Sequence, residues 1–287
     1  MTKSRWASPF QRDQFLSSLD KAAQDAAAEQ GIDLTSQDAQ KDVQKQIDQI
    51  ATFASQGCKA IIVNPVEIDT ADALISAAGG VPVFFVNRLP DESVFKEGIA
   101  YGVGSDELQS GGFQGEFLAG YFADRTDKTL NVAILQGIIG HPATNKRTDS
   151  ALQGLKDAGF TVNEVFKDTA EFDRAKAMQL IQTFLGTGKP VDVIVANNDE
   201  MALGAIEALK AVGKTTKDVP VVGIDATSEG VASIAAGDLN ASVFQDAVGQ
   251  GAGALEAAAK VVTGEKVDLI TWIPFKLVTP ENVADYQ

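Results

Sequence analysis

The feature that most constrains this chain is a regular alternation of short, near-continuous apolar runs with longer amphipathic segments. Lys59–Val63 (KAIIV) and Pro82–Val86 (PVFFV) are near-continuous β-branched and aromatic runs, as strands covered on both faces must be. Further strands are expected at Ile32–Thr35, Val132–Leu135, Val193–Ala196, Val221–Ile224 and Ala241–Phe244. Between them the apolar spacing changes to that of helices. From about Phe10 to Gln30, Phe15, Leu16, Leu19, Ala22, Ala23 and Ala26 share a face, and Gly31 supplies a stop. Val43, Ile47, Ile50 and Phe53 mark a second helix over Asp42–Ser55. Others are expected near Gln109–Phe122, Ala143–Ala158, Asp173–Leu185, Glu200–Ala211 and Asp246–Val262. Strand–helix alternation with short links gives an α/β fold of doubly wound parallel sheets with right-handed crossovers.

Length and charge narrow the options. At 287 residues the chain suits two domains rather than one. A net charge of −15 argues against nucleic acid or an anionic membrane as partner. One Cys and one His preclude a disulfide framework and leave too few ligands for a zinc site. No apolar run approaches the roughly 20 residues of a membrane span. Met1–Arg5 is charged, but no apolar core of a signal peptide follows it. Cys58, just before a buried strand, reads as a small apolar filler. The stretch Gly249–Ala254 fits G-x-G-x-x-A, yet it lies late in the chain and four residues beyond its strand, so it reads as glycines that let a helix pack closely.

In doubly wound sheets, ligands bind beyond the carboxyl ends of the strands. The residues at those positions share a chemistry: Asn87 and Arg88; His141 and Arg147; Asn197, Asn198 and Asp199; Asp225; and Gln245. Planar amides, guanidinium groups and a carboxylate can meet adjacent hydroxyls of a small polar ligand in bidentate fashion. Phe10 and Phe172 can offer apolar faces to a ring. No nucleophile–base pair or carboxylate cluster accompanies them, so the set reads as a binding constellation without a catalyst and without a cofactor. The capping of the following helix is the alternative role for His141.

The chain resembles the type I periplasmic sugar-binding proteins of ABC transporters, of the ribose and galactose/glucose group. The resemblance is carried by VPVFFVNR at Val81–Arg88, LQGIIGHP at Leu135–Pro142, DTAEFDRAKA at Asp168–Ala177, VIVANNDEMALGAIE at Val193–Glu207, VPVVGIDAT at Val219–Thr227, GDLNASVFQ at Gly237–Gln245 and FKLVTPENV at Phe275–Val283. It implies that Asn87, Arg88, Arg147, Asn198, Asp225 and Gln245 bind sugar hydroxyls and that Phe10 and Phe172 sandwich the sugar. His141 matches the histidine of the galactose/glucose type, and Ser8 enters the set by its position alone. Departures are visible. Ala143 stands where the galactose/glucose type is acidic, Ser8-Pro9-Phe10-Gln11 replaces an Asn-Pro-Phe-Phe run, and no acidic calcium loop lies between Ala123 and Val132, so no metal is expected.

The same resemblance implies two domains, 1–105 with 247–271 and 106–244 with 274–287, joined by three crossovers acting as a hinge. It implies a neutral monosaccharide or polyol as ligand, a membrane permease as partner, a monomer, and a periplasmic or extracellular location with lipid anchoring open. The family begins with a strand before the Phe10 helix, and Met1 falls near its expected end, so the strand and a signal segment are expected upstream. Two other classes share features with this reading: the effector domain of a sugar-responsive transcription regulator, and a nucleotide-dependent sugar enzyme. Neither a helix-turn-helix nor a phosphate-cradling loop after the first strand is evident.

Overall fold

The computed structural model describes residues 3–8 and 14–287, with side chains from Phe15 onward. The chain divides into two compact units, 1–105 with 246–274 and 106–245 with 275–287. It therefore passes from one to the other at 105/106, 245/246 and 274/275.

In chain order, the first unit contains β1 (Lys3–Ser8), α1 (Gln14–Glu29), β2 (Asp33–Asp38), α2 (Val43–Ser55), β3 (Ala60–Val63), α3 (Ala71–Ala77), β4 (Val83–Val86) and β5 (Ala100–Gly104). The second contributes α4 (Glu107–Tyr121), β6 (Thr129–Gln136), α5 (Pro142–Asp157), β7 (Thr161–Thr169), α6 (Arg174–Gly186), β8 (Val193–Ala196), α7 (Asp199–Ala211), β9 (Val221–Val222), α8 (Ser228–Ala235) and β10 (Ser242–Phe244). The chain returns to the first unit for α9 (Ala247–Val262) and β11 (Ile270–Trp272), and ends in the second with β12 (Lys276–Val278).

The first unit is built on a six-stranded parallel sheet in the order β11-β5-β4-β3-β1-β2. The period-two rule explains its two cores. Ala60, Ile62, Phe84, Val86, Tyr101 and Val103 pack with α1 and α9, while Ile61, Val63, Val83 and Phe85 pack with α2 and α3. Cys58 is a buried member of the latter core, the filler its position suggested. In the second unit the parallel order is β7-β6-β8-β9. Ala133, Leu135, Ile194 and Ala196 face α6 and α7; Val132, Ile134, Val193 and Val195 face α4 and α5. β10 pairs antiparallel with β12, a departure from all-parallel pairing, and meets the sheet through single parallel bridges at Val222–Ala241 and Asp225–Phe244.

The structure corrects one expectation outright. The strand expected upstream of Met1 is β1, at Lys3–Ser8, paired in parallel with β2 on one side and β3 on the other. Its sequence, KSRWAS, lacks an apolar run, because backbone pairing on both sides rather than hydrophobic pattern carries it. Four further strands were hidden for related reasons. β5 contains two glycines, β7 is a largely exposed edge, β11 is a three-residue edge, and β12 is a three-residue strand paired with β10 alone. Asp42, Asp106, His141, Asp173, Asn198, Thr227 and Asp246 cap helices with their side chains, which fixes where each begins.

The G-x-G-x-x-A stretch lies within α9, not in a phosphate loop. A Cβ on Gly251 would overlap the Leu19 carbonyl oxygen of α1, so the glycine permits close packing of the two helices. Gly251→Ala should therefore destabilise the chain by about 1–3 kcal/mol through overpacking. Urea denaturation followed by circular dichroism checks this, and an unshifted midpoint would refute the close-packing account.

Candidate functional site

In the first unit, the polar groups gather where β3, β4 and β5 end. Asn64 follows β3 and Asn87 follows β4, and the two side chains are joined by a hydrogen bond from Asn64 Nδ2 to Asn87 Oδ1 of 3.2 Å. Asn87 Nδ2 donates to Gln250 Oε1 of α9 at 3.2 Å, and Gln250 Nε2 donates to Ser105 Oγ at 2.9 Å. Asn87 holds a left-handed backbone, φ 65°, which turns its side chain out of the ladder direction. Arg88 is half-buried, with Nη1 directed at the carbonyls of Pro65 and Val66. The sequence reading missed Asn64. It is fully buried, its Nδ2 also donates to the Val86 carbonyl, and its Oδ1 has no hydrogen-bond partner within the protein. The buried NP dipeptide directly after a strand was the available signal.

In the second unit, Arg147 on the second turn of α5 is the centre. It is 5% exposed. Its Nε and Nη2 meet both carboxylate oxygens of Glu107 at 2.7 and 3.1 Å, Nη1 donates to the Asn197 carbonyl at 2.8 Å, and Nη2 donates to Gln245 Oε1 at 3.3 Å. Asp225 Oδ1 lies 3.7 Å from Nη1, an ion pair rather than a tight hydrogen bond. The structure thus brings Arg147, Asp225 and Gln245 together as anticipated and adds Glu107, which no sequence motif singled out. Glu107 opens α4 forty residues earlier, and only the packing of α4 on α5 reveals the pair. Gln245 is 3% exposed and its Nε2 has no partner within the protein.

His141 caps α5 by accepting the Ala143 N–H at Nδ1, 3.2 Å, so the ring's proton sits on Nε2. The capping role weighed for it is real. Phe172, φ 62°, stands edge-to-face with His141 at 6.1 Å between ring centroids. Its ring occupies the space a Cβ on Gly137 would need, so Gly137 at the end of β6 makes room for this aromatic. Asn198 caps α7, its Oδ1 accepting the Met201 N–H at 3.0 Å, and its amide nitrogen is the group it can offer a ligand. Phe10 lies outside the described residues, as does the side chain of Ser8, whose backbone closes β1.

Among the described residues, Asp199 is a strongly perturbed acid. Complete burial pushes its pKa up from 3.8 to about 7, against the opposing hydrogen bonds from Ser242 and Thr227. Among the described residues, no cluster of three or more His, Cys, Asp or Glu could hold a metal ion. The arrangement is a set of buried, oriented donors and acceptors in each unit, suited to holding a neutral polar molecule.

Comparison with known proteins follows the same line. The sequence model of the periplasmic binding protein domain matches residues 6–266. The putative rhizopine-binding protein of Rhizobium meliloti is 38% identical over 267 residues, 90% of this chain and 83% of that protein. The ribose import binding protein of Bacillus subtilis (strain 168) is 33% identical over 267 residues, 92% of this chain and 83% of that protein. A crystal structure of an ABC transporter solute binding protein from Bacillus halodurans C-125, with bound myo-inositol, matches with a TM-score of 0.90 at 38% identity, covering 99% of this chain and 97% of that one.

The buried Asp199 carboxyl holds its proton more tightly folded than unfolded. Its contribution to stability is therefore fully present below about pH 4 and is lost as pH rises through about 7. Over that interval the loss is roughly 4 kcal/mol, at about 1.36 kcal/mol per pH unit. Asp199→Asn should remove this component, so its stability relative to wild type should improve between pH 4 and pH 8. Urea unfolding across that range checks it, and parallel profiles would refute it.

Proposed function

Because the chain belongs to the periplasmic binding protein family, whose domain model spans residues 6–266, we propose that it is the solute receptor of an ABC importer for a neutral cyclic polyol or monosaccharide. One observation carries this reading. Each unit presents, at the carboxyl end of its parallel sheet, a buried amide atom with no partner in the protein: Asn64 Oδ1 in the first and Gln245 Nε2 in the second. A buried polar atom left unpaired costs about 1–3 kcal/mol, which a ligand hydroxyl beside it relieves. The neighbouring Asn87, Arg88, Arg147, Asn198 and Asp225 supply amide, guanidinium and carboxylate groups for vicinal hydroxyls, and Phe172 an apolar face. His141 Nε2 is a further donor.

Among ligands, myo-inositol is the first to test, supported by the 38% identical Bacillus halodurans protein crystallised with it. Ribose and galactose are the next. The mechanism is binding without turnover: ligand that makes its full set of hydrogen bonds only when both units engage it shifts the population toward a closed state. Hinge motion about the crossings at 105/106, 245/246 and 274/275 is the corresponding displacement, one that periplasmic binding proteins exemplify. The closed, monomeric form is then what a membrane permease recognises outside the cytoplasm.

A thermal-shift screen of pentoses, hexoses, inositols and acyclic polyols tests the reading. A ligand at about 100 times its Kd adds about 2.7 kcal/mol of stability and raises Tm visibly. Small-angle scattering should show the radius of gyration falling on ligand addition. No shift with any sugar or polyol would overturn the reading. Asp225→Ala should weaken binding by about 2–5 kcal/mol, the range for truncating one partner of a buried charge pair. Unchanged affinity in calorimetry would remove Asp225 from the site.

A further inference from the structure

Asp199 is the first residue of α7 and is 0% exposed, yet none of the contacts proposed for the ligand involves it. Both its oxygens accept hydrogen bonds, one from β10 and one from the β9–α8 turn. Ser242 Oγ, on β10, donates to Oδ1 at 2.6 Å, and the Thr227 N–H donates to Oδ2 at 2.8 Å. The Thr227 hydroxyl lies 3.4 Å from the same oxygen. Ser242 Oγ in turn accepts the Ala226 N–H at 3.0 Å. The carboxylate fills the space in which a Cβ would stand at Gly223 and at Gly230. The turn it grips is the one that carries Asp225, and Asp225 and Ala226 both hold left-handed backbone, φ 113° and 47°. Such backbone persists in non-glycine residues only where the surroundings over-determine it.

We propose that Asp199 is a positioning residue for ligand binding: through Ser242 and the Thr227 amide it holds the Asp225–Ala226 turn in its left-handed conformation and so aims the Asp225 carboxylate. This rests on the reading of Asp225 as a ligand contact. The bond pattern requires the ionised carboxylate, since Ser242 and Thr227 each donate to it. A proton on Oδ1 makes Asp199 donate to Ser242 Oγ and leaves the serine hydroxyl hydrogen without its acceptor. A proton on Oδ2 opposes the Thr227 N–H. The first reverses the Asp199–Ser242 bond and leaves the serine hydrogen unpaired, and the second loses the Thr227 bond. Either way the arrangement that secures the turn is weakened. With a pKa near 7, the turn loosens as pH falls from 8 to 6. Charges on the packed elements act on the same equilibrium. Glu200 on α7 favours the proton, and Glu200 and Glu229 of α8 are both ion-paired to Arg174 of α6. Asp225 lies against Arg147 of α5.

Affinity for the sugar or polyol that raises Tm in the screen, measured by calorimetry between pH 6 and 8, tests the proposal. Wild type should bind more weakly at pH 6. Asp199→Asn, which cannot accept both donors, should bind roughly ten-fold more weakly at pH 8, the effect of one hydrogen bond to a charged group, and should lose this component of the pH dependence. The difference between the wild-type and Asp199→Asn profiles isolates Asp199 from every other titrating group. Ser242→Ala removes a bond that lowers the Asp199 pKa, so the midpoint of its affinity profile should move to higher pH. A flat wild-type profile overturns the proposal without any variant. So does wild-type affinity with an unshifted profile in folded Asp199→Asn and Ser242→Ala, while Asp225→Ala abolishes binding. If Asp225→Ala binds normally, or no sugar binds at all, the underlying reading fails instead, and the proposal with it.

Discussion

The buried guanidinium of Arg147 is the interaction on which the second unit's polar architecture depends. A charge that deep in the protein is tolerated only with its hydrogen-bonding capacity met, and breaking such an arrangement from one side leaves an uncompensated charge. Glu107 meets it in the fork-to-fork geometry that suits guanidinium and carboxylate, and the Asn197 carbonyl and Gln245 amide take further N–H groups. These partners come from the start of α4, the end of β8 and the end of β10. One side chain thus fixes the relative heights of three elements at the carboxyl end of the sheet. Gln114 of α4 does the same with neutral groups, donating to the carbonyls of Ala196 and Gly223. Glu107 and Gln245 also lie within two residues of the chain crossings at 105/106 and 245/246. A ligand that draws on Arg147 or Gln245 acts on side chains already bonded to the segments that lead out of the unit.

The first unit solves the same problem without a buried cation. A chain of amides runs from Asn64 through Asn87 to Gln250 and ends on Ser105, so each side chain is oriented by the next. Gln46 supports it from α2, donating to the Asn64 carbonyl and accepting the Val66 N–H. Neutral amides cost less to bury than charges and still offer both a donor and an acceptor to each neighbour. The Arg88 guanidinium, by contrast, stays half-buried against two carbonyls.

What was legible in the sequence follows from which forces leave a local signature. Central strands with continuous apolar runs, such as VFFV and VIVA, were found to within a residue or two, because burial on both faces dictates their composition. β1 was not, because a strand held by backbone pairing on both sides can carry a polar sequence. Of the candidate site, the residues directly after strands were legible by position, and Arg147, Asp225 and Gln245 do meet. Glu107 and Asn64 were not legible as partners, since their importance arises from contacts with Arg147 and Asn87, 40 and 23 positions away. Asp199 was named only as one of three polar residues after β8. Its burial depends on Gly223 and Gly230, whose lack of a side chain has no meaning until α7 is packed beside them.

Left-handed backbone ties these observations together. Asn87, Phe172, Asp225 and Ala226 all have positive φ without being glycine, at a cost of order 1–3 kcal/mol each. Three of them are proposed ligand contacts, and the fourth adjoins one. Each is over-determined by a different device. Asn87 is gripped by two amide side chains, Phe172 is seated over a glycine against an imidazole, and Asp225–Ala226 is secured by a buried carboxylate through a serine hydroxyl. A strand that simply continued would send these side chains to one face of the sheet or the other, into the cores that flank it. At Asn87 and Asp225 the left-handed step takes the chain out of that alternation just past the strand, whereas Ala226 and Phe172 stay packed in and against the core beside α6 and α7. The strain is therefore what aims the polar groups, and the buried networks beneath them hold that aim before any ligand arrives. Preorganisation of this kind spares a ligand the ordering of loops that flexible contacts would demand.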